Sequence, residues 1–314
     1  MGKIAFVFPG QGSQVSGMGK SFYDNFEASK EVFDIADRVL GMEISKICFE
    51  GTDDELKQTI NSQPAILTTS LAAYKAFAQK SNIKPDYVLG HSLGEITAYS
   101  VAEVLSFEDT FKLIFSRAKF MNDAATETNG KMLAVIGAQL DLVNSCIDKT
   151  EGYVAIANYN SPVQLVLTGE ANAIDEVANL LKENGVRKVV PLAVSGAFHS
   201  EFMQSASARL ADVVSELTFN DAKIPVIANV DANITIKAED FIKKVTEQIY
   251  SSVKWTESVE NAIKNGVDTF IEFGEGKVLA GLIKKINPDV SVYNVNNLET
   301  LESTVQSLGE NYGK

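Results

Sequence analysis

The chain has 314 residues, of which 45% are apolar and 22% charged, an ordinary globular balance. At this length it can bury roughly 75% of its unfolded surface, so folding requires neither metal nor disulfide, and length alone favours about two domains. Lys and Arg number 28 against 41 Asp and Glu, giving a formal charge of −13, which argues against nucleic-acid binding, since that rests on clustered Lys and Arg.

Ile4-Ala5-Phe6-Val7-Phe8 is an unbroken apolar run closed by Pro9-Gly10, which predicts a buried strand of the parallel type. Apolar spacing predicts a helix over Phe22–Leu40, and Pro64 fits the first turn of another over Ala65–Gln79. Tyr87-Val88-Leu89 reads as a short strand, followed by Gly90-His91-Ser92-Leu93-Gly94 and a helical Glu95–Val104. Ser106 is placed to cap a helix running to about Asn122, with Asp109 at the capping-box position. Alternation of strand and helix predicts a mainly parallel sheet covered by helices.

After Ala124 the rhythm changes. Met132–Ile136, Tyr153–Ala157, Gln164–Thr168 and Arg187–Val194 read as strands, with helices over Leu140–Lys149 and Ala171–Asn184 and a turn at Asn160-Ser161-Pro162. That order, βαββαβ, is the ferredoxin-like pattern. The expected organisation is therefore α/β: a large domain with a mainly parallel sheet, made of residues 1–125 and 198–314, with a ferredoxin-like domain, 126–197, inserted in it. The alternating style resumes through Ile224–Ala228, Ala238–Tyr250, Val253–Asn265, Thr269–Phe273, Val278–Ile286 and Val290–Val295, and no internal repeat or low-complexity tract interrupts the chain.

Cys48 and Cys146 stand far apart and outside any C-x-x-C motif, which argues against a disulfide scaffold, a zinc cluster or a redox site. The first apolar run is cut short at Pro9, and no run of 18 apolar residues provides a membrane span. Met1-Gly2 opens like a myristoylation signal, but position 6 is Phe where Ser or Thr is required. A cytoplasmic protein is expected. Only two histidines are present, His91 and His199, so a three-histidine metal site is excluded and any imidazole base is one of these two.

Gly90-His91-Ser92-Leu93-Gly94 matches G-x-S-x-G between a strand and a helix, the setting of a nucleophile elbow. The glycines are needed because the tight turn brings flanking backbone too close for side chains. A serine hydroxyl at neutral pH needs a base. His91 adjoins Ser92, but on such a turn its side chain projects the other way, which leaves His199. Leu93, directly after the nucleophile, is placed to give an oxyanion-hole N–H. An ordinary lipase or esterase carries its histidine near the C-terminus; here 115 residues follow His199, a poor fit. Gly10-Gln11-Gly12 lacks the third glycine of a dinucleotide fingerprint, and Gly19-Lys20-Ser21 lacks the opening glycine of a P-loop.

Phe8-Pro9-Gly10-Gln11-Gly12-Ser13-Gln14, Gln63-Pro64-Ala65, the elbow with Glu95, Asn158-Tyr159-Asn160-Ser161-Pro162, Gly196-Ala197-Phe198-His199, Gln248 seven residues before Trp255, and Phe273-Gly274 occur in this order. Together they resemble the malonyl-CoA:acyl-carrier-protein transacylases of fatty-acid and polyketide synthesis, over essentially the whole chain, which implies that the large domain is hydrolase-like and catalytic, with the ferredoxin-like domain inserted in it. One departure is Glu275, where the family usually has proline.

The resemblance implies a ping-pong transfer of malonyl from coenzyme A through Ser92 to the phosphopantetheine thiol of holo acyl carrier protein, with no permanently bound cofactor or metal. It implies His199 as base and then acid, oriented by the backbone carbonyl of Gln248, and backbone N–H groups of Gln11 and Leu93 as the oxyanion hole. Arg117 lies about 80° from the centre of its helix's apolar face, on the flank of the buried side; the resemblance makes it the partner of the malonyl carboxylate. By the same resemblance Phe198 selects malonyl against an α-methyl branch, and Gln63 and Asn160 are expected to line the cleft. Two other readings stand beside it: a serine thioesterase or esterase using the same Ser92 and His199, and a non-catalytic carrier-protein-binding module. An acidic enzyme meeting anionic partners needs a local basic patch, for which Arg187-Lys188, Lys243-Lys244 and Lys284-Lys285 are the available pairs.

Overall fold

The computed structural model describes residues 2–194 and 196–312, leaving out the side chains of 310–312. Met1, Gly313 and Lys314, the extreme ends of the expected large domain, lie outside the described residues, as does Ser195 just before the Gly196–His199 stretch.

Among the described residues ten strands occur in the order β1 (Lys3–Phe8), β2 (Tyr87–Gly90), β3 (Gly130–Ile136), β4 (Val154–Ser161), β5 (Gln164–Glu170), β6 (Lys188–Pro191), β7 (Val226–Ile227), β8 (Ile234–Thr235), β9 (Val267–Phe273) and β10 (Ser291–Val295). Six of them form one sheet in the order β10-β9-β1-β2-β7-β8, parallel throughout except for the β7–β8 pair. β1 lies at its centre with both faces covered, which explains its lack of polar alternation. The pleat divides it: Ile4, Phe6 and Phe8 pack on one side with Phe33, Phe77 and Phe273, while Ala5 and Val7 join Trp255, Val259 and Leu279 on the other.

The remaining four strands form an antiparallel sheet in the order β4-β5-β3-β6. Helices Leu140–Ile147 and Ala171–Glu183 cover one face, burying Val143, Cys146, Ile174, Val177 and Leu181 against Leu133, Val135, Leu165 and Leu167. Met132, Ala157 and Val166 point the other way and join the core of the larger unit. Main-chain bonds from Tyr159 to the Val253 carbonyl (2.9 Å) and from Val253 to that of Ala157 (2.8 Å) clip β4 to the larger unit.

Several boundaries differ from the sequence reading for local reasons. The helix expected over 22–40 is two, Lys20–Asn25 and Glu27–Leu40, because Phe26 is extended (φ −136°, ψ 117°); it ends the first while its carbonyl starts the second. The helix holding Pro64 begins at Thr59 and runs to Lys80. It is buried on nearly every side, so no amphipathic pattern marks where it starts. β4 continues through Ser161, which makes Asn160 a strand residue and moves the turn to Pro162-Val163; two register shifts in β4 admit the extra residues. The last described element is a helix, Leu298–Tyr312, that the sequence pattern does not mark, and helix Asp53–Lys57 is likewise unmarked although Thr52 and Glu55 form a capping box.

Helix Leu93–Val101 lies almost on β1. A Cβ at Gly94 would come within 2.1 Å of the Phe8 carbonyl oxygen, and one at Gly90 within 1.9 Å of the Gly94 backbone. Gly94→Ala is therefore expected to cost about 3 kcal/mol, read as a lower urea midpoint at unchanged slope; an unchanged midpoint would mean that the helix can retreat without penalty.

Candidate active site

β1 and β2 end side by side, Phe8 opposite Gly90, and their carboxyl ends open into a crevice where ligands of parallel sheets bind. Ser92 occupies the turn after β2 at φ 52° and ψ −110°, a strained conformation for a residue with a side chain. Asn229, just after β7, straps this turn: its Oδ1 accepts from the Ser92 N–H at 2.8 Å and its Nδ2 donates to the Gly90 carbonyl at 2.7 Å. Sequence reasoning missed Asn229, whose only signal is its place at the end of a short apolar strand.

His199 also has a positive φ, 56°, and its N–H is tied to the Ile249 carbonyl at 3.1 Å. Its Nδ1–H donates to the carbonyls of Gln248 (2.9 Å) and Ser251 (3.1 Å). That arrangement leaves Nε2 bare to accept from the Ser92 hydroxyl at 2.8 Å. Burial, and next the charge of Arg117, push the imidazole down from 6.5 to about 3, so it is neutral at pH 7. His91 turns away: its Nε2 meets Asn160 Oδ1 at 2.7 Å and its ring stands edge-on to Trp255.

Arg117 projects from helix Phe107–Glu127 and is only 1% exposed. Its Nη1 donates to Gln63 Oε1 at 2.6 Å; its Nη2 donates to Ser92 Oγ at 3.0 Å and to Gln248 Oε1 at 2.9 Å. Its Nε is buried without a partner. Burial lowers the guanidinium to about 10, which still leaves it cationic.

These groups border a cleft of about 310 Å³ whose lining includes Gln11, Gln63, Ser92, Leu93, Arg117, Phe198 and His199. Among the described residues no acceptor meets the backbone N–H of Gln11 or Leu93, so both donors are free at the end of the crevice. Asn160 does not border this cleft; Asn158, two residues earlier on the same strand, does. Gln248 stands behind the lining, reaching it through Arg117 and His199. No three His, Cys, Asp or Glu side chains gather as a metal site among the described residues.

A strained serine sharing its proton with a neutral imidazole, beside two free N–H donors and a buried cation, is an arrangement chemically able to form and stabilise an acyl-serine. The chain belongs to the acyl transferase family: the model of the acyl transferase domain matches residues 5–295. It is 44% identical over 313 residues to the malonyl CoA-acyl carrier protein transacylase of Bacillus subtilis, covering 99% of this chain and 98% of that one. Identity to the Staphylococcus aureus (strain MRSA252) protein of the same name is 38%, over 96% and 98% of the two chains. The crystal structure of the Clostridium perfringens transacylase superposes with a TM-score of 0.93 at 39% identity, over 98% of each chain. A malonyl-transacylase solved in complex with its type II PKS acyl-carrier protein superposes at 0.94 with 34% identity, over 97% of this chain and 99% of that one.

Because the free imidazole stays neutral far below pH 6.5, labelling of Ser92 by a fluorophosphonate is expected to hold its plateau rate down through pH 5. Arg117→Ala removes a charge that opposes the imidazolium, so the acid limb moves to higher pH. The check is the labelling rate between pH 4 and 8; a wild-type limb centred near 6.5 would overturn the assignment.

Proposed function

We propose that the protein is an [acyl-carrier-protein] S-malonyltransferase, moving malonyl from coenzyme A to the phosphopantetheine thiol of holo acyl carrier protein, in a scheme where Ser92, His199 and Arg117 do the chemistry. Full-length identity to proteins bearing the transacylase name supports the activity. The observation that carries the residue roles is a buried guanidinium 3.0 Å from a serine hydroxyl that is already bonded to an imidazole. A malonyl group is an acyl group with a carboxylate two bonds beyond its carbonyl, and here a cation stands beside the serine that would attack that carbonyl.

Two Nη2 protons of Arg117 go to Ser92 and Gln248 and one Nη1 proton goes to Gln63. The incoming carboxylate takes the remaining Nη1 proton and replaces the contact to Ser92. This frees the serine oxygen for attack, and it cancels the charge that holds down the proton affinity of His199. Ser92 Oγ then bonds to the thioester carbon as its proton passes to His199 Nε2. The oxyanion is received by the N–H groups of Gln11 and Leu93, at the positive end of helix Leu93–Val101. Collapse expels the coenzyme A sulfur, which takes the proton back from His199. The carrier-protein thiol repeats the steps in reverse: His199 takes its proton, the thiolate attacks the malonyl-serine, and Ser92 leaves reprotonated. Every catalytic group is supplied by the chain, so no bound cofactor enters the scheme.

Residues 126–197 serve as the second wall of the cleft, through Met132, Asn158 and the Leu192–Val194 segment. Of the three basic pairs, Lys243 and Lys244 are engaged by Glu247 and Asp231, Lys284 by the carbonyls of Pro288 and Val290, and Lys285 by Gln164. Arg187-Lys188 is exposed at the start of β6, which leads into that wall, so it is the pair best placed to meet anionic partners. No described helix is long and apolar enough to cross a membrane, and the reading takes the enzyme as cytoplasmic, alongside soluble substrates.

Incubation with malonyl-CoA followed by intact-mass spectrometry tests the reaction class. A malonyl adduct on Ser92 that is discharged by holo carrier protein supports transfer; rapid release to water means a thioesterase, and no adduct means a binding module. Arg117→Ala is expected to lose malonyl transfer at least about 100-fold more than transfer of an uncharged acyl group, and equal losses would sink the clamp. Phe198, 5% exposed beside His199, is expected to discriminate by one methyl group. Phe198→Ala should narrow the preference for malonyl-CoA over methylmalonyl-CoA about 10-fold in kcat/KM.

A further inference from the structure

Glu95 is the one fully buried carboxylate next to the site that the reaction scheme leaves without a task. It lies in the first turn of helix Leu93–Val101 with no exposed surface. Its Oε2 accepts from the Asn229 N–H at 2.7 Å and from Gln248 Nε2 at 3.1 Å, and its Oε1 accepts from the Tyr99 hydroxyl. Asn229 and Gln248 are the two residues that set the site's geometry. Asn229 holds the Ser92 N–H and the Gly90 carbonyl. Gln248 gives its main-chain carbonyl to His199, its Oε1 to Arg117 and its Nε2 to the Ser92 carbonyl as well as to Glu95. The carboxylate and the Arg117 guanidinium are thus linked through a single amide, as a bridged ion pair inside the protein.

We infer that Glu95 is the positioning residue of this site, a shared acceptor that fixes the serine through Asn229 and the histidine and arginine through Gln248. This rests on the Ser92–His199 reading. Burying a carboxylate is costly unless its oxygens are satisfied by donors; here the donors are the ones that must be held still for catalysis. In an Asp-based triad one carboxylate orients the imidazole directly. Here the carboxylate acts one residue further back, and the same group also fixes the nucleophile turn. Burial raises the affinity of Glu95 for a proton, and the donors from Tyr99, Asn229 and Gln248 offset that rise only in part.

Glu95→Ala is expected to lower kcat about 10- to 100-fold with KM for malonyl-CoA within about twofold. Glu95→Gln retains an oxygen for the Asn229 and Gln248 donors and an amide for the Tyr99 hydroxyl, and should restore kcat to within about threefold. Glu95→Asp keeps the charge but withdraws it by a methylene, and should fall about 10-fold or more; it answers the question if the alanine variant does not fold. Nitrogen-15 spectra of histidine-labelled protein give the second readout, since the chain has only two histidines. His199 should hold a single Nδ1–H tautomer in the wild type and Glu95→Gln, and a mixture in Glu95→Ala and Glu95→Asp. A folded Glu95→Asp with wild-type kcat and one tautomer overturns the inference, as does a Glu95→Gln variant no better than Glu95→Ala. Wild-type turnover and His199→Ala, measured alongside, report on the Ser92–His199 reading itself.

Discussion

The distance between helix Leu93–Val101 and β1 governs the rest of the site. Gly94 rests against the Phe8 carbonyl and Gly90 against Gly94, so the elbow, the end of β1 and the loop holding Gln11 are in direct contact. A side chain at either glycine would lift Ser92 off the sheet and separate the Leu93 N–H from that of Gln11. The close approach is held by ordinary core packing. Phe6, Phe8, Phe77 and Phe273 stack in one aromatic group on one face of β1, and Trp255 and Val259 fill the other. The backbone strain at Ser92 persists because the surrounding sheet and the Asn229 strap leave it nowhere to relax.

Charge is organised around that elbow in the same way. The molecule as a whole is strongly acidic, yet the end of the crevice offers a buried guanidinium, a helix N-terminus and two free N–H groups to an anion. In a water-poor cleft such fixed donors act at low dielectric and need no rearrangement as charge develops. Arg117 donates to Ser92 Oγ and its charge lowers the proton affinity of His199, so a partner for the guanidinium would relax both effects.

How much of this could be read from the sequence depended on the range of the interaction. The elbow was legible because strand, turn and helix lie within a dozen residues and the glycines are locally required. His199 was reached by counting, since only two histidines exist. The βαββαβ order of the smaller sheet survived in its strands and helices, although β4 runs further than its turn residues indicated. Asn229 and the role of Glu95 were not legible: the two meet across 134 positions, and Glu95 meets Gln248 across 153. Asn160 was expected at a cleft wall and is instead the partner of His91, a difference of facing between it and Asn158 that the register shifts in β4 decide. The Ser251 carbonyl could not have been found by residue type at all, because its contribution is main chain.

A triad aspartate is one codon away from loss, whereas no substitution can delete the carbonyls of Gln248 and Ser251. The imidazole here is aimed by the path of a peptide segment, so its orientation depends on where the fold carries residues 248–251 and on the contacts that hold them there. The side chain at position 251 can therefore vary while its carbonyl still receives the imidazole N–H, provided the segment keeps its path.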